Sequence, residues 1–304
     1  MSKYLDPKND LVFKRIFGEH KHLCMSLLNS MLPFEKGQEI VDLEYQTGEL
    51  FPELIGYRHS IVDVRCTDSF GRQFLVEMQI RYTKSFQDRV LYNVCKAYSQ
   101  QLGVGQKYEK LNPVYALVFM DTNMYDGSEY YHRYRIKDED DPTKIIEGLE
   151  FIFIELRKFK PSNIAEKKLQ DLWLRFLTEV NEGVRNISED LLSASPINEA
   201  LGYAEQMGYT DKQLFTYNSL LDSVRTELMY IDDAWNEGIE KGKAEGIAEG
   251  IERGIERGIE KGKADGIAET QKNIAISLLK RGMSAKEINE LTGLRVEDIN
   301  KLKS

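Results

Sequence analysis

The sequence predicts an α/β fold: a mixed β-sheet flanked by helices, followed by a helical region and a glycine-punctuated helical tail. Three observations predict it. Strand-like and helix-like segments alternate over residues 1–160. Residues 161–236 place apolar side chains mostly at helical spacing. Glycine then recurs at every fourth position from Gly238 to Gly266. The chain accordingly divides at 1–160, 161–236, 237–270 and 271–304. Its 304 residues suit about two domains, and 41% hydrophobic with 30% charged residues suits a folded chain.

The elements follow in order. Asp10 stands at the head of an apolar segment, 11–17, where it can cap a helix. Residues 23–32 read as a helix that Pro33 helps to stop. Residues 60–67 and 73–80 read as strands, and the turn residues of 68–72 between them have hairpin length. Residues 84–102 form a helix ending near Gly103. Residues 113–120 make a buried strand and 151–156 another. In 165–180, Leu169, Leu172, Trp173, Phe176, Leu177 and Val180 fall at helical spacing.

In the tail, Gly238, Gly242, Gly246, Gly250, Gly254, Gly258, Gly262 and Gly266 are separated mainly by Ile, Glu, Lys and Arg. At about 100° per residue, a four-residue step overshoots one turn by about 40°. The glycine line therefore winds about 280° over its seven steps and offers no fixed face without supercoiling, right-handed for a period above 3.6. Eight glycines also cost a helix about 8 kcal/mol relative to alanine. A spacer or loose helix and an oligomerising helix both fit. Beyond it, Ser284-Ala285-Lys286-Glu287 is a capping-box start, with Ile288 and Leu291 as the apolar face. Thr292-Gly293-Leu294 makes a turn, and 296–302 a second helix. This resembles a helix-turn-helix, but Glu297 and Asp298 offset Arg295, Lys301 and Lys303, which favours a packing or oligomer module.

The formal charge is −9, which by itself disfavours a nucleic-acid partner. Its distribution weakens that objection: residues 1–110 hold 15 basic and 14 acidic residues, so the acidity lies further on. No apolar run follows a basic start, so no signal peptide is expected. The apolar stretch at 114–120 is far short of a bilayer span. Cys24, Cys66 and Cys95 form no CxxC pair, which points to reduced thiols, no structural zinc and a cytoplasmic protein. Gly103-Val104-Gly105 lacks the rest of a dinucleotide fingerprint and no P-loop is present, so no nucleotide cofactor is expected.

The hairpin carries the chemistry. Asp63 falls in its first strand, Glu77 and Gln79 in its second. Glu77 and Gln79 are two apart and share a face, and the short turn can bring Asp63 to Glu77. Ile61, Val62, Leu75, Val76 and Ile80 draw this region into a core. Adjacent buried carboxylates need positive charge between them. Either a divalent cation, Mg2+ or Mn2+ by its preference for oxygen donors, or a salt bridge to Arg58, Arg65, Arg72 or Arg81 would meet that need. After the hairpin, Ser85, Arg89, Tyr92 and Lys96 share one helix face that can hold phosphates, or be simply solvated, while Phe86, Val90, Val94 and Ala97 turn inward.

The residues Asp10-Leu11-Val12-Phe13-Lys14-Arg15-Ile16-Phe17-Gly18, Ser60-Ile61-Val62-Asp63-Val64-Arg65 and Val76-Glu77-Met78-Gln79 together resemble the Rpn family of recombination-promoting nucleases, also described as PD-(D/E)XK-family transposases. The resemblance continues through Phe86-x-x-Arg89-x-x-Tyr92, Tyr98-x-x-Gln101-Leu102 and Tyr108-x-x-Leu111-x-Pro113-Val114 to the 151–159 segment, covering about residues 4–160. It implies a restriction-endonuclease-like core that cuts DNA phosphodiesters with Mg2+ or Mn2+. Asp63 matches the metal-binding aspartate, Glu77 the acid of the second motif strand, and the Met78 carbonyl would also face the metal. Asp10 corresponds to an acid that related nucleases often place near the metal. Gln79 stands where lysine is common; it can orient water but carries no charge, which leaves that charge to Arg58, Arg81 or Lys84. Arg81, Lys84, Arg89, Tyr92 and Lys96 are the expected DNA contacts. The expected function is a metal-dependent DNA endonuclease of recombination, transposition or phage defence. The alternative is a catalytically silent DNA-binding or self-assembling protein with the same fold. Tails of this type in the family also suggest a homo-oligomer formed through the repeat.

Overall fold

A computed structural model describes residues 4–46, 49–50, 60–61, 63–80, 84–161 and 168–302. They fall into two units, residues 1–223 and 224–304.

The first unit begins with α1 (Asp10–Phe13), which runs into a five-residue π-helical turn, Lys14–Gly18. Asn9, not Asp10, caps α1: its side chain accepts from the Leu11 amide, and Asp10 is the first helical residue. That corrects the capping role expected of Asp10. A π-helical turn inside a helix often marks a functional position, and here Lys14 opens it. α2 (Lys21–Met31) stops as expected before Pro33 and buries Leu23, Cys24, Leu27, Leu28 and Met31.

Six strands form a mixed sheet. β1 (Leu43–Gln46) pairs antiparallel with β4 (Val64–Asp68), and β4 antiparallel with β5 (Gln73–Gln79). A separate two-stranded ribbon joins β2 (Glu49–Leu50) to β3 (Ser60–Ile61). The single strand expected at 60–67 is therefore broken: Asp63 sits at a bend between β3 and β4 rather than within a strand. Val62 lies outside the described residues, as does the Ile61 side chain. In the β4–β5 turn, Gly71 has φ +80°, while Asp68 accepts from the amides of Phe70 and Arg72 and pairs with the Arg72 guanidinium at 2.6 Å.

α3 (Lys84–Ser99) then leads across to β6 (Val114–Met120), which lies parallel to β5. β6 is parallel to β8 (Ile145–Glu155), and β7 (Tyr131–Lys137) closes the order β1-β4-β5-β6-β8-β7 by pairing antiparallel with β8. β6 is apolar almost throughout because a central strand is covered on both faces. On one face, Leu75, Val114, Ala116, Val118, Met120 and Phe153 pack with Phe86, Val90, Val94 and Ala97 of α3. On the other, Phe74, Val76, Leu117, Phe119, Ile152 and Ile154 join the α1 and α2 residues and the later helices α4 (Lys168–Glu179) and α6 (Ser195–Ala204). Between them lies the short α5 (Glu189–Ser193). α4 buries Leu172, Trp173, Phe176 and Leu177, and Val180 just beyond it is buried too, but Leu169 is exposed, and residues 165–167 of the expected helix lie outside those described. At the end of β8, buried Glu155 accepts from the Met124 amide at 2.8 Å and pairs with His132 at 2.7 Å and Lys158 at 2.8 Å.

α7 (Asp211–Lys280) begins in the first unit and continues into the second, and the eight repeat glycines fall inside it. A methyl group added at any of those eight would meet nothing within 4 Å beyond its own turns. α8 (Ala285–Thr292) carries the expected capping box at Ser284 and Glu287 and ends on Gly293 at φ +73° before α9 (Val296–Lys301). Ala275, Ile288 and Ile299 bury one another. Leu291, expected on the apolar face with Ile288, is exposed instead, and Thr292 takes the inward place.

Candidate nuclease site

Strand alternation sets the site. β5 directs Leu75 towards α3, so Glu77 and Gln79 follow on the same face. At the end of the strand apolar neighbours give way to helix α3, and Arg89 reaches back. Its Nη2 donates to Gln79 Oε1 at 2.8 Å and lies 3.8 Å from Glu77 Oε2. Asn93, one turn further along α3 and fully buried, donates from Nδ2 to Glu77 Oε1 at 3.1 Å.

Asp63 approaches from the other side of the hairpin. Its Oδ2 accepts from the Met78 amide at 2.7 Å, which pins the bend to β5. Lys14 Nζ lies 3.6 Å from Asp63 Oδ1 and 2.6 Å from Asp10 Oδ1. The π-helical turn thus brings a cation between two acids. A hollow of 310 Å³ lined by Asp10, Lys14, Arg15 and Tyr209, among others, opens beside them.

These carboxyls are uncomfortable as anions. Burial pushes Asp63 up to about 7; the Met78 amide and Lys14 oppose the rise, while the charges of Asp10 and Glu77 add to it. Burial also raises Glu77, against the pull of Arg89 and the Asn93 hydrogen bond. For Lys14, burial alone would lower the pKa, but Asp10 and then Asp63 turn the net shift upward. A half-buried Asp63 and a buried Glu77, both raised by burial and the first also by the charge of the second, form an acidic oxygen donor set. That fits a hard divalent cation. Among the described residues, no three His, Cys, Asp or Glu side chains gather as a ready-made metal cluster. The set at hand is two carboxylates with the Met78 backbone between them.

The salt bridges considered from sequence fall elsewhere. Arg72 pairs with Asp68, and Arg65 donates to Gln73 at 3.2 Å. Arg58 and Arg81 lie outside the described residues, and so does the Lys84 side chain. Among the described residues, Lys14 and Arg89 meet the two acids. Of the expected phosphate face, Ser85, Arg89 and Tyr92 are exposed, Lys96 is half-buried, and Lys96 Nζ stands 5.7 Å from the Tyr92 ring centroid. The structure thus brings Asp63, Met78, Glu77, Gln79 and Arg89 together. Asp10 joins only through Lys14, and Tyr92 and Lys96 lie further along α3.

Two residues were missed by sequence reasoning. Asn93 falls at +3 from Val90 on the inward face of α3, and a polar residue there demands a buried partner. Lys14 sits at +4 from Asp10, a spacing that places the pair side by side on a helix.

A family model described as PD-(D/E)XK nuclease family transposase matches residues 7–234. No curated protein matches the chain, and no solved structure does. Among the described residues, no helix is long and apolar enough to cross a membrane.

Proposed function

The chain belongs to the PD-(D/E)XK nuclease family transposases, and from that premise we propose that it is a divalent-metal-dependent DNA endonuclease acting in recombination, transposition or phage defence. The observation that best supports this reading is the convergence of Asp63 and Glu77 at the end of β5, both raised by burial and backed by Arg89 and Lys14.

Asp63, Glu77 and the Met78 carbonyl would hold Mg2+ or Mn2+. When bound, such an ion supplies a more acidic water and draws charge from a phosphate oxygen. The chain's own groups do the rest. Asn93 holds the Glu77 carboxylate in place, and the Met78 amide holds that of Asp63. Gln79 has no charge, but its carboxamide is fixed by Arg89 and can orient an attacking water. Arg89 brings the positive charge that Gln79 lacks and can meet the negative charge that develops on the phosphate oxygens during attack. Along α3, Tyr92 and Lys96 would continue the contact with the DNA backbone. Binding through such phosphate contacts would be modest and would weaken as salt rises.

A second reading, a silent DNA-binding or self-assembling protein, is favoured by one observation: Lys14 and Arg89 already offset the two acids without any ion. One experiment separates them. Supercoiled DNA is titrated with Mg2+ and Mn2+ using the full chain, Asp63→Ala and Glu77→Ala, with circular dichroism confirming the fold. Cleavage by the wild type alone supports the nuclease. Cleavage that persists in both variants removes this site. DNA bound but never nicked favours the silent reading.

A further inference from the structure

In the second unit, upstream of the glycine repeat, α7 carries an apolar stripe. Val224, Leu228, Ile231 and Trp235 succeed one another at +4, +3 and +4, the spacing of a two-helix seam. Leu228, Ile231 and Trp235 are 45%, 50% and 70% exposed. Single exposed apolar residues are ordinary, but an aligned run ending in tryptophan marks a contact surface. The glycine repeat cannot extend this seam, because its line turns about 40° per step away from any fixed partner.

We propose that residues 224–235 pair with the same segment of a second copy of this chain, antiparallel, about a two-fold axis between Leu228 and Ile231. One register satisfies both size and charge. Leu228 meets Ile231 of the second copy, and the bulky Trp235 meets the smaller Val224, each contact occurring twice by symmetry. The residues flanking the seam then place Arg225 opposite Asp232 of the second copy, again twice. A parallel pairing would instead set Glu227 beside Asp232, a like-charge contact on both sides of the seam. Charge therefore selects the antiparallel arrangement.

Sedimentation velocity of the full chain across a concentration series tests this. The expected result is a dimer that dissociates on dilution. Trp235→Ala and Leu228→Ala each weaken it about tenfold or more, as loss of a large apolar anchor does. Asp232→Arg weakens it too, by setting two arginines face to face, and adding Arg225→Asp to that variant restores it. Deleting residues 242–265, six steps of the repeat, leaves the dimer intact. A chain that stays monomeric at every concentration overturns the proposal. So does a dimer indifferent to Trp235→Ala, or one lost with the repeat. Tighter association of Asp232→Arg would mean a parallel pair, and overturns it equally.

Discussion

Replacing Arg89 with methionine separates catalysis from folding. Its Nη2 is 2.8 Å from Gln79 Oε1 and 3.8 Å from Glu77 Oε2, and the side chain is 51% exposed. In a medium of effective dielectric about 20, the contact with Glu77 has a gross Coulomb attraction of about 4 kcal/mol. Solvent screening at a half-exposed side chain, and the entropy of holding it, reduce the net contribution to folding to at most about 1 kcal/mol. Catalysis is affected more, because a preorganised donor facing developing charge is worth about 100- to 1000-fold in rate. Arg89→Met should therefore unfold in urea within about 1 kcal/mol of the wild type, yet nick DNA at least about 100-fold more slowly at saturating DNA. Arg89→Lys, which keeps the charge without the planar fork, should fall between them. The assay is single-turnover nicking of supercoiled DNA with Mg2+, beside urea unfolding of the same preparations. A methionine variant that cuts within about threefold of the wild type would refute the reasoning, since a threefold effect is under 1 kcal/mol of barrier. A rate that recovers fully once DNA is saturating would also refute it, by reducing Arg89 to a binding residue.

Three further outcomes follow from the geometry. Asn93→Leu removes the donor to Glu77 Oε1 and should weaken Mn2+ binding about 10- to 100-fold; unchanged affinity in titration calorimetry would exclude a positioning role. Glu155 is held below its ordinary carboxylate value because hydrogen bonds from Lys158, the Met124 amide and His132 outweigh the opposing effect of burial. Its stabilisation is therefore complete above the unfolded value, about 4.3, and drains away as pH falls through the lower folded one. The urea midpoints of wild type and Glu155→Gln should accordingly differ at pH 7 and converge in acid, and a gap that widens in acid would contradict the sign. Gly71→Ala puts a Cβ at φ +80° and 2.6 Å from Asn112 Nδ2, which should cost about 1–3 kcal/mol in urea unfolding; no loss would show that the hairpin turn relaxes freely.

Much of the sheet could be read from the chain. β5, β6 and the apolar end of β8 announce themselves because both their faces are covered and their side chains are accordingly apolar. β7 could not be read: Tyr-His-Arg-Tyr-Arg-Ile-Lys lies on the edge of the sheet, largely open to solvent, and no alternation survives to mark it. β1 is short and borders the sheet on the other side for the same reason. In the candidate site, Asp63, Glu77 and Gln79 follow from the spacing across one turn. The break at Asp63 does not, because the residues before it pair with the distant β2 rather than in the main sheet. Lys14 and Asn93 escaped because their significance is tertiary. Each is an ordinary residue in its own helix until a carboxylate from the bend before β4, or from β5, is packed against it.

The charge balance at the site links these observations. Among the described residues, Asp10, Asp63 and Glu77 bring three negative charges, Lys14 and Arg89 two positive ones. Burial raises both Asp63 and Glu77, and at Asp63 the charges of Asp10 and Glu77 add to the rise. A bound divalent ion would turn the surplus of one negative charge into one positive charge, and an approaching phosphodiester would bring the sum to zero. A lysine in place of Gln79 would leave the same site with an extra positive charge once the ion is in. Among the described residues, the positive charge that Gln79 does not carry comes from Lys14 before the hairpin and Arg89 after it. The formal −9 of the chain then says little about DNA, because what matters is the balance within a few ångströms of the phosphate, where the long-range field of the acidic remainder is screened.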